Sequence, residues 1–270
     1  MRTQPLLAVA VALVSLALAP GSSAEPPLPS PGVSVPGVDV PCVPSSQHPV
    51  PVVLVHGTRS DRTVNWAYLG PELAAAGYCV YSVDLPDRGQ APMKQSLAVL
   101  AQRVAEVRAE TGAKRVSFLG HSQGGTIARD FVKSYGTQVE DVVTMGTPHH
   151  GYWTEPPGDQ VDRAFNTGCP ACEEQARGSA YLTALNADDM TPGGHTAYTS
   201  IITEHDQVAL PLPSQYLPEG RQVANVLLQE ECPLHVVEHL GLALDPLVRD
   251  WVLSALGRPG PADLTRDVTC

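Results

Sequence analysis

Val116-Ser117-Phe118-Leu119-Gly120-His121-Ser122-Gln123-Gly124-Gly125 decides how this chain is read. The first four residues form a short run of the kind that makes a buried strand, and 123–134 read as a helix. Between them a serine sits in a G-x-S-x-G pattern, directly after a strand and opening a helix. In that setting the serine occupies a sharp, strained turn, and a side chain at 120 or 124 would crowd the neighbouring chain. The hydroxyl is held above the sheet edge, and the helix N-terminus behind it favours developing negative charge. Gly125 adds a further close approach. Ser122 is therefore the candidate nucleophile.

Outward from this turn the chain alternates. Val52–Val55 is an apolar run ended by His56-Gly57, 65–76 is helical with Gly77 as its stop, and 79–83 is a strand. Residues 92–111 form a long helix with Leu97, Leu100, Ala101, Val104 and Val107 at three- and four-residue intervals, stopped by Gly112. Strands follow at 142–145, 197–202 and 223–228. The last helix starts at Asp245, an N-cap, with Pro246 at its first position, and stops at Gly257. The expected class is α/β, with a mostly parallel central sheet and helices on both faces. The rhythm breaks over 147–194, where one helix is expected near 179–186; so long an irregular insertion reads as a cap or lid-like substrate wall. Tyr152, Trp153, Tyr181, Leu182 and Leu185 are candidates to line it, or to be its own core.

Before the first strand lie two segments of different kind. Residues 1–24 read as a cleaved export signal: Arg2, an apolar run of about 14 residues, then Gly21-Ser22-Ser23-Ala24, too short for a span of roughly 20. Residues 25–49 are a proline-rich extended arm, and 50–270 make one domain. The formal charge of −11 disfavours nucleic acid and anionic lipid surfaces. Export makes the 6 cysteines candidates for disulfides, and sequence alone does not choose among 15 pairings. Cys42 precedes one strand and Cys79 opens the next, so a bridge could tie the arm to the sheet. Cys270 ends the chain, with Cys232 a plausible anchor. Cys169-Pro170-Ala171-Cys172 reads as a small-loop disulfide rather than a redox or zinc motif. Asp188 and Asp189 read as a solvated turn; no metal and no cofactor are expected.

Acyl transfer needs an oxyanion site, an acid and a base. The N–H of Gln123, next to the serine, is one donor by geometry, and the N–H of Thr58, after His56-Gly57, is assigned as the other. The acid follows the serine and the base follows the acid. Asp206, a few residues past the 197–202 strand, is the chosen acid, with Glu204 the alternative; Asp245 serves better as a helix cap. Of 9 histidines, His239 and His235 lie between the last strand and last helix, where the base belongs, and His239 is preferred. His121 is read as pointing away from the serine, and His149 and His150 as shaping the pocket.

With these residues in hand, the chain resembles the secreted lipase/esterases of the α/β-hydrolase fold common in actinobacteria and grouped as class 2 lipases. The resemblance rests on Val55-His56-Gly57-Thr58, Gly120-His121-Ser122-Gln123-Gly124-Gly125, Gly146-Thr147-Pro148-His149-His150-Gly151, Thr203-Glu204-His205-Asp206, and Cys232-Pro233 with His239-Leu240. It implies hydrolysis of lipid or other acyl esters through Ser122, Asp206 and His239, and disulfides Cys42–Cys79, Cys169–Cys172 and Cys232–Cys270. A secreted monomer without stable membrane insertion is expected. The alternatives are an acyltransferase using the same acyl-enzyme, and a non-catalytic binding protein on a hydrolase scaffold.

Overall fold

In the computed structural model, residues 32–136, 138–152 and 166–270 are described. The export signal expected over 1–24 lies outside them, as does Trp153.

Six strands form one sheet: β1 (Val52–Val55), β2 (Val80–Val83), β3 (Val116–His121), β4 (Val139–Met145), β5 (Ala197–Ile202) and β6 (Val223–Leu227). Their order is β2-β1-β3-β4-β5-β6, and every neighbouring pair is parallel. Side chains alternate across a strand, so Val52 and Leu54 enter one core with Trp66, Leu69, Trp251 and Val252, while Val53 and Val55 enter the other with Leu100, Val104, Ile127 and Phe131. Burial on both faces is why these strands read as unbroken apolar runs. The order reverses between β1 and β3, and the loops after these two strands diverge at the carboxyl edge of the sheet.

The helices follow from their ends. Asp61 caps α1 (Arg62–Asn65), accepting from the N–H groups of Thr63 and Val64. The chain then breaks before α2 (Leu69–Ala75). The helix expected over 65–76 thus begins only at Leu69, after a separate helical turn that ends at Asn65. Trp66, with φ −113° and ψ 13°, turns the chain between them and is fully buried in the core, which outweighs helical continuity. α3 (Met93–Thr111) stops at Gly112 in the left-handed region, and α4 (Gln123–Tyr135) starts directly after Ser122. Within the stretch between β4 and β5 lie α5 (Pro170–Gln175), not expected from sequence, and α6 (Ala180–Leu185). The last helix, α7 (Pro246–Leu256), has Asp245 accepting from Leu247 and Val248 and ends at Gly257.

Disulfides join Cys42 to Cys79, Cys169 to Cys172 and Cys232 to Cys270. The first staples the chain before β1 to the start of β2. Asp39, nearby, accepts from the Ser82 N–H at 2.8 Å and from Arg103 at 2.6 Å, prolonging that edge. The third ties the final residue beside the β6–α7 connection. No helix among the described residues is long and apolar enough to cross a membrane.

Candidate active site

Ser122 has φ 53° and ψ −123°, a backbone conformation that costs a non-glycine residue about 1–3 kcal/mol and must be held by its surroundings. Two contacts to the adjoining chain hold it. The Ser122 N–H donates to the Met145 carbonyl at 2.9 Å, and the Thr147 hydroxyl donates to the Ser122 carbonyl at 2.9 Å. Gly124 allows the turn to approach β1, because a Cβ there would lie 1.9 Å from the Val55 carbonyl oxygen. Sequence pattern identifies the turn, but nothing local marks Thr147 as its support.

His239 and Asp206 meet across neighbouring loops, 2.8 Å apart from Nδ1 to Oδ2. Both are buried. The second carboxylate oxygen of Asp206 accepts from the N–H groups of Val208 and Ala209, each at 2.7 Å, so the acid is fixed before it meets the ring. Gly146 (φ 57°) leaves room for the pair: a Cβ there would sit 3.0 Å from His239 Nδ1. The alternatives are placed elsewhere. Glu204 is half-exposed, with His205 Nε2 lying 3.8 Å from its carboxylate, and His235 is engaged with Asp245 at 2.9 Å.

Ser122 and His239 line one cavity of about 240 Å3 at the carboxyl edge of the sheet. Thr58 and Gly57 from the loop after β1 form one wall, and Pro148, Tyr152, Val208 and Leu240 give it an apolar side. Gln175 also reaches it, donating from Nε2 to Thr58 Oγ1 at 3.2 Å, a contact with no sequence signal. Gln123 opens α4, so its backbone N–H is one of those a helix leaves without an intrahelical acceptor. Its side chain donates to the Gly89 carbonyl at 2.8 Å, tying the turn to the loop after β2.

Three histidines around the cavity are held neutral. Burial pushes His56 below the usual imidazole range; its Nε2 accepts from the Leu85 N–H at 2.9 Å, so Nδ1 carries the proton and donates to the Gly57 carbonyl. Burial, followed by the neighbouring His239, pushes His121 down to about 3. His121 is among the residues lining the cavity, and its ring nitrogens meet Asn65 Oδ1 and the His239 carbonyl, each at 3.0 Å. His149, expected to shape the pocket, is not among the residues lining it. It is buried behind the cavity among Thr144, Ser200 and Arg129, and desolvation lowers its pKa strongly.

Of the residues named as a possible apolar wall, Tyr152 lines the cavity. Leu182 and Leu185 are buried, and Tyr181 donates to Asp130 at 2.7 Å. Sequence left their two roles open; the structure puts these three into packing.

Residues 50–179 match the family model described as the α/β hydrolase fold. Two triacylglycerol lipases are each 38% identical over 109 residues: one from Pseudarthrobacter phenanthrenivorans, covering 37% of this chain and 34% of the relative, and one from Burkholderia plantarii, covering 37% and 30%. The chain therefore spans about a third of the length of the curated relatives it matches. Among solved structures, Aspergillus fumigatus lipase B superposes with a TM-score of 0.67 at 22% identity, over 82% of this chain and 56% of that one. The six-stranded parallel sheet with its helical layers is the α/β-hydrolase fold.

Proposed function

We propose that this chain of α/β-hydrolase fold is a serine carboxylic-ester hydrolase of the lipase/esterase type. The observation that carries the reading is Ser122 on a strained turn, sharing its cavity with a histidine whose far nitrogen is held 2.8 Å from a fixed, buried carboxylate. The matching lipases, similar over part of their length, support the same class.

In this mechanism Asp206 accepts a hydrogen bond from His239 Nδ1–H, which leaves Nε2 free as a base. Nε2 takes the Ser122 proton as Oγ attacks the ester carbonyl. The oxyanion is met by the N–H groups of Thr58 and Gln123, each donor worth about 10²–10³ in rate. His239 then protonates the leaving alcohol, and a water activated by the same base releases the acid and restores Ser122. Acylglycerols or related acyl esters fit the apolar wall of Pro148, Tyr152, Val208 and Leu240. Export to an oxidising compartment is consistent with three disulfides and with the character of residues 1–24.

Chromogenic acyl esters of increasing chain length test the proposal, together with labelling of Ser122 by a fluorophosphonate. Turnover that disappears in Ser122→Ala, with labelling lost in the same variant, is the expected result. No turnover at any length, or undiminished turnover in Ser122→Ala, overturns it.

A further inference from the structure

The imidazole immediately before the nucleophile has a structural relationship that the ester-hydrolase mechanism does not use. His121 is the last residue of β3, is 3% exposed, and reaches two other loops. Its Nδ1 lies 3.0 Å from Asn65 Oδ1, on the short helix that follows β1, while Asn65 Nδ2 is buried without a hydrogen-bond partner. Its Nε2 lies 3.0 Å from the main-chain carbonyl of His239, after β6. The two imidazoles also lie side by side, with ring centroids 5.0 Å apart and planes tilted by 36°.

We propose that His121 is a positioning residue that fixes the backbone of His239 and, through it, the reach of the base towards Ser122. A carbonyl oxygen only accepts, so the contact is a hydrogen bond only when His121 Nε2 carries the proton. Burial keeps the ring neutral, so one proton faces two oxygens; with that proton on Nε2, the Asn65 amide must turn so that its otherwise unpartnered Nδ2 donates to Nδ1. Neutrality matters as well. A cation beside His239 would oppose the positive charge that the base must accumulate as it takes the serine proton. A lysine or arginine could donate to the same carbonyl but would bring that charge.

The need for such an anchor follows from how His239 is mounted. It precedes a 3₁₀ turn (Gly241–Leu244) and lies beyond the end of β6, so no ladder or α-helix fixes its peptide. Asp206 fixes the ring at one end through Nδ1, and Thr203 Oγ1 fixes the chain two residues earlier by donating to the Val237 carbonyl at 2.8 Å. A ring pivoting about its contact with Asp206 still needs its Cα placed. His121, covalently joined to Ser122, gives His239 that reference, so nucleophile and base move as one body.

The proposal rests on the assignment of Ser122 and His239 as nucleophile and base, and the experiment separates the two. Three variants, His121→Gln, His121→Asn and His121→Leu, are compared on a water-soluble short-chain ester, with kcat, KM, thermal midpoint and fluorophosphonate labelling rate measured for each. Glutamine can place an amide N–H near the position of Nε2, whereas asparagine is too short and leucine has no donor. The expected result is kcat lowered about 10- to 100-fold in the Asn and Leu variants, KM within about threefold, and the Gln variant within about fivefold of the parent. Labelling should slow in parallel with kcat. The Asn and Gln variants bury the same amide, so their comparison stands even if the Leu variant does not fold. Equal kcat in the Asn and Gln variants, or loss of kcat that only tracks the thermal midpoint, overturns the positioning role. A parent protein that neither turns over esters nor reacts with the fluorophosphonate overturns the functional assignment instead.

Discussion

The Thr147 hydroxyl donates to the carbonyl of Ser122 at 2.9 Å, joining the loop after β4 to the turn that presents the candidate nucleophile. Both residues are buried, and the carbonyl also accepts from the Gly125 N–H at 3.0 Å. Thr147→Val keeps the shape and removes the donor. A loss of about 1 kcal/mol is expected, read as a thermal midpoint lowered by about 2–4 °C. If the turn relaxes, ester turnover falls by about fivefold, since roughly 1 kcal/mol of lost transition-state stabilisation has that effect. Calorimetry and initial rates on one soluble ester check both.

Asp206→Asn leaves the size of the side chain unchanged but puts an amide beside His239 Nδ1. An NH2 group there pairs with a bare Nδ1 and so moves the ring proton to Nε2, where it blocks uptake from Ser122. Turnover is expected to drop by about 10³–10⁴ with little change in KM. Steady-state kinetics near neutral pH measure it.

Asp141, in β4, is 6% exposed and hydrogen-bonded by the Ser117 hydroxyl at 2.6 Å. Burial raises its pKa from 3.8 to about 7, the Ser117 bond opposing the shift. The sign follows from proton counts. Between about 4 and 7 the folded chain holds this proton and the unfolded chain has released it, so stability from this group falls as pH rises through that window. The fall is at most about 4 kcal/mol. Asp141→Asn should therefore raise the thermal midpoint at pH 8 and have little effect at pH 4. Midpoints across that range give the difference directly.

Arg129 is 1% exposed on α4, and its guanidinium donates to the Met190 carbonyl at 3.0 Å and to Asn186 Oδ1 at 2.8 Å. Desolvation lowers its pKa to about 10, so it stays charged at neutral pH. Arg129→Met fills similar space but strands those acceptors, and a loss of about 3 kcal/mol is expected. The damage should fall first on the stretch around 186–190. Limited proteolysis is expected to cut there before the sheet core unfolds, and uniform resistance to protease would contradict this.

The sheet was readable because its cause is local. Val52-Val53-Leu54-Val55 is apolar throughout because both faces of the strand are covered, and Asp245 with Pro246 marks the start of α7 within two residues. The serine turn was readable because its glycines, serine and flanking strand and helix lie within ten residues, although Gly124 and Gly125 answer to Val55 and Thr147 elsewhere in the chain. Asp206 and His239 could be named from chain order and loop position. Their meeting at 2.8 Å depends on β5 and β6 being neighbours. Gln175, Asn65 and the second role of His121 left no trace in any short window, and Thr147 stands in a recognised stretch that does not disclose its role, because each acts on a partner elsewhere in the chain. The break at Trp66 was missed because burial of an indole overrode helical spacing. The helix at Pro170 was obscured by the cysteines around it, although proline at its first turn follows an ordinary rule.

The serine turn is braced by β1, by the last residue of β4 and by Thr147, while the long stretch between Tyr152 and β5 meets Thr58 through Gln175. Exchange of that stretch would leave Ser122, Asp206 and His239 on their own supports. Among the described residues, a graft would have to restore the amide of Gln175 for Thr58 and the acceptors at 186 and 190 for Arg129.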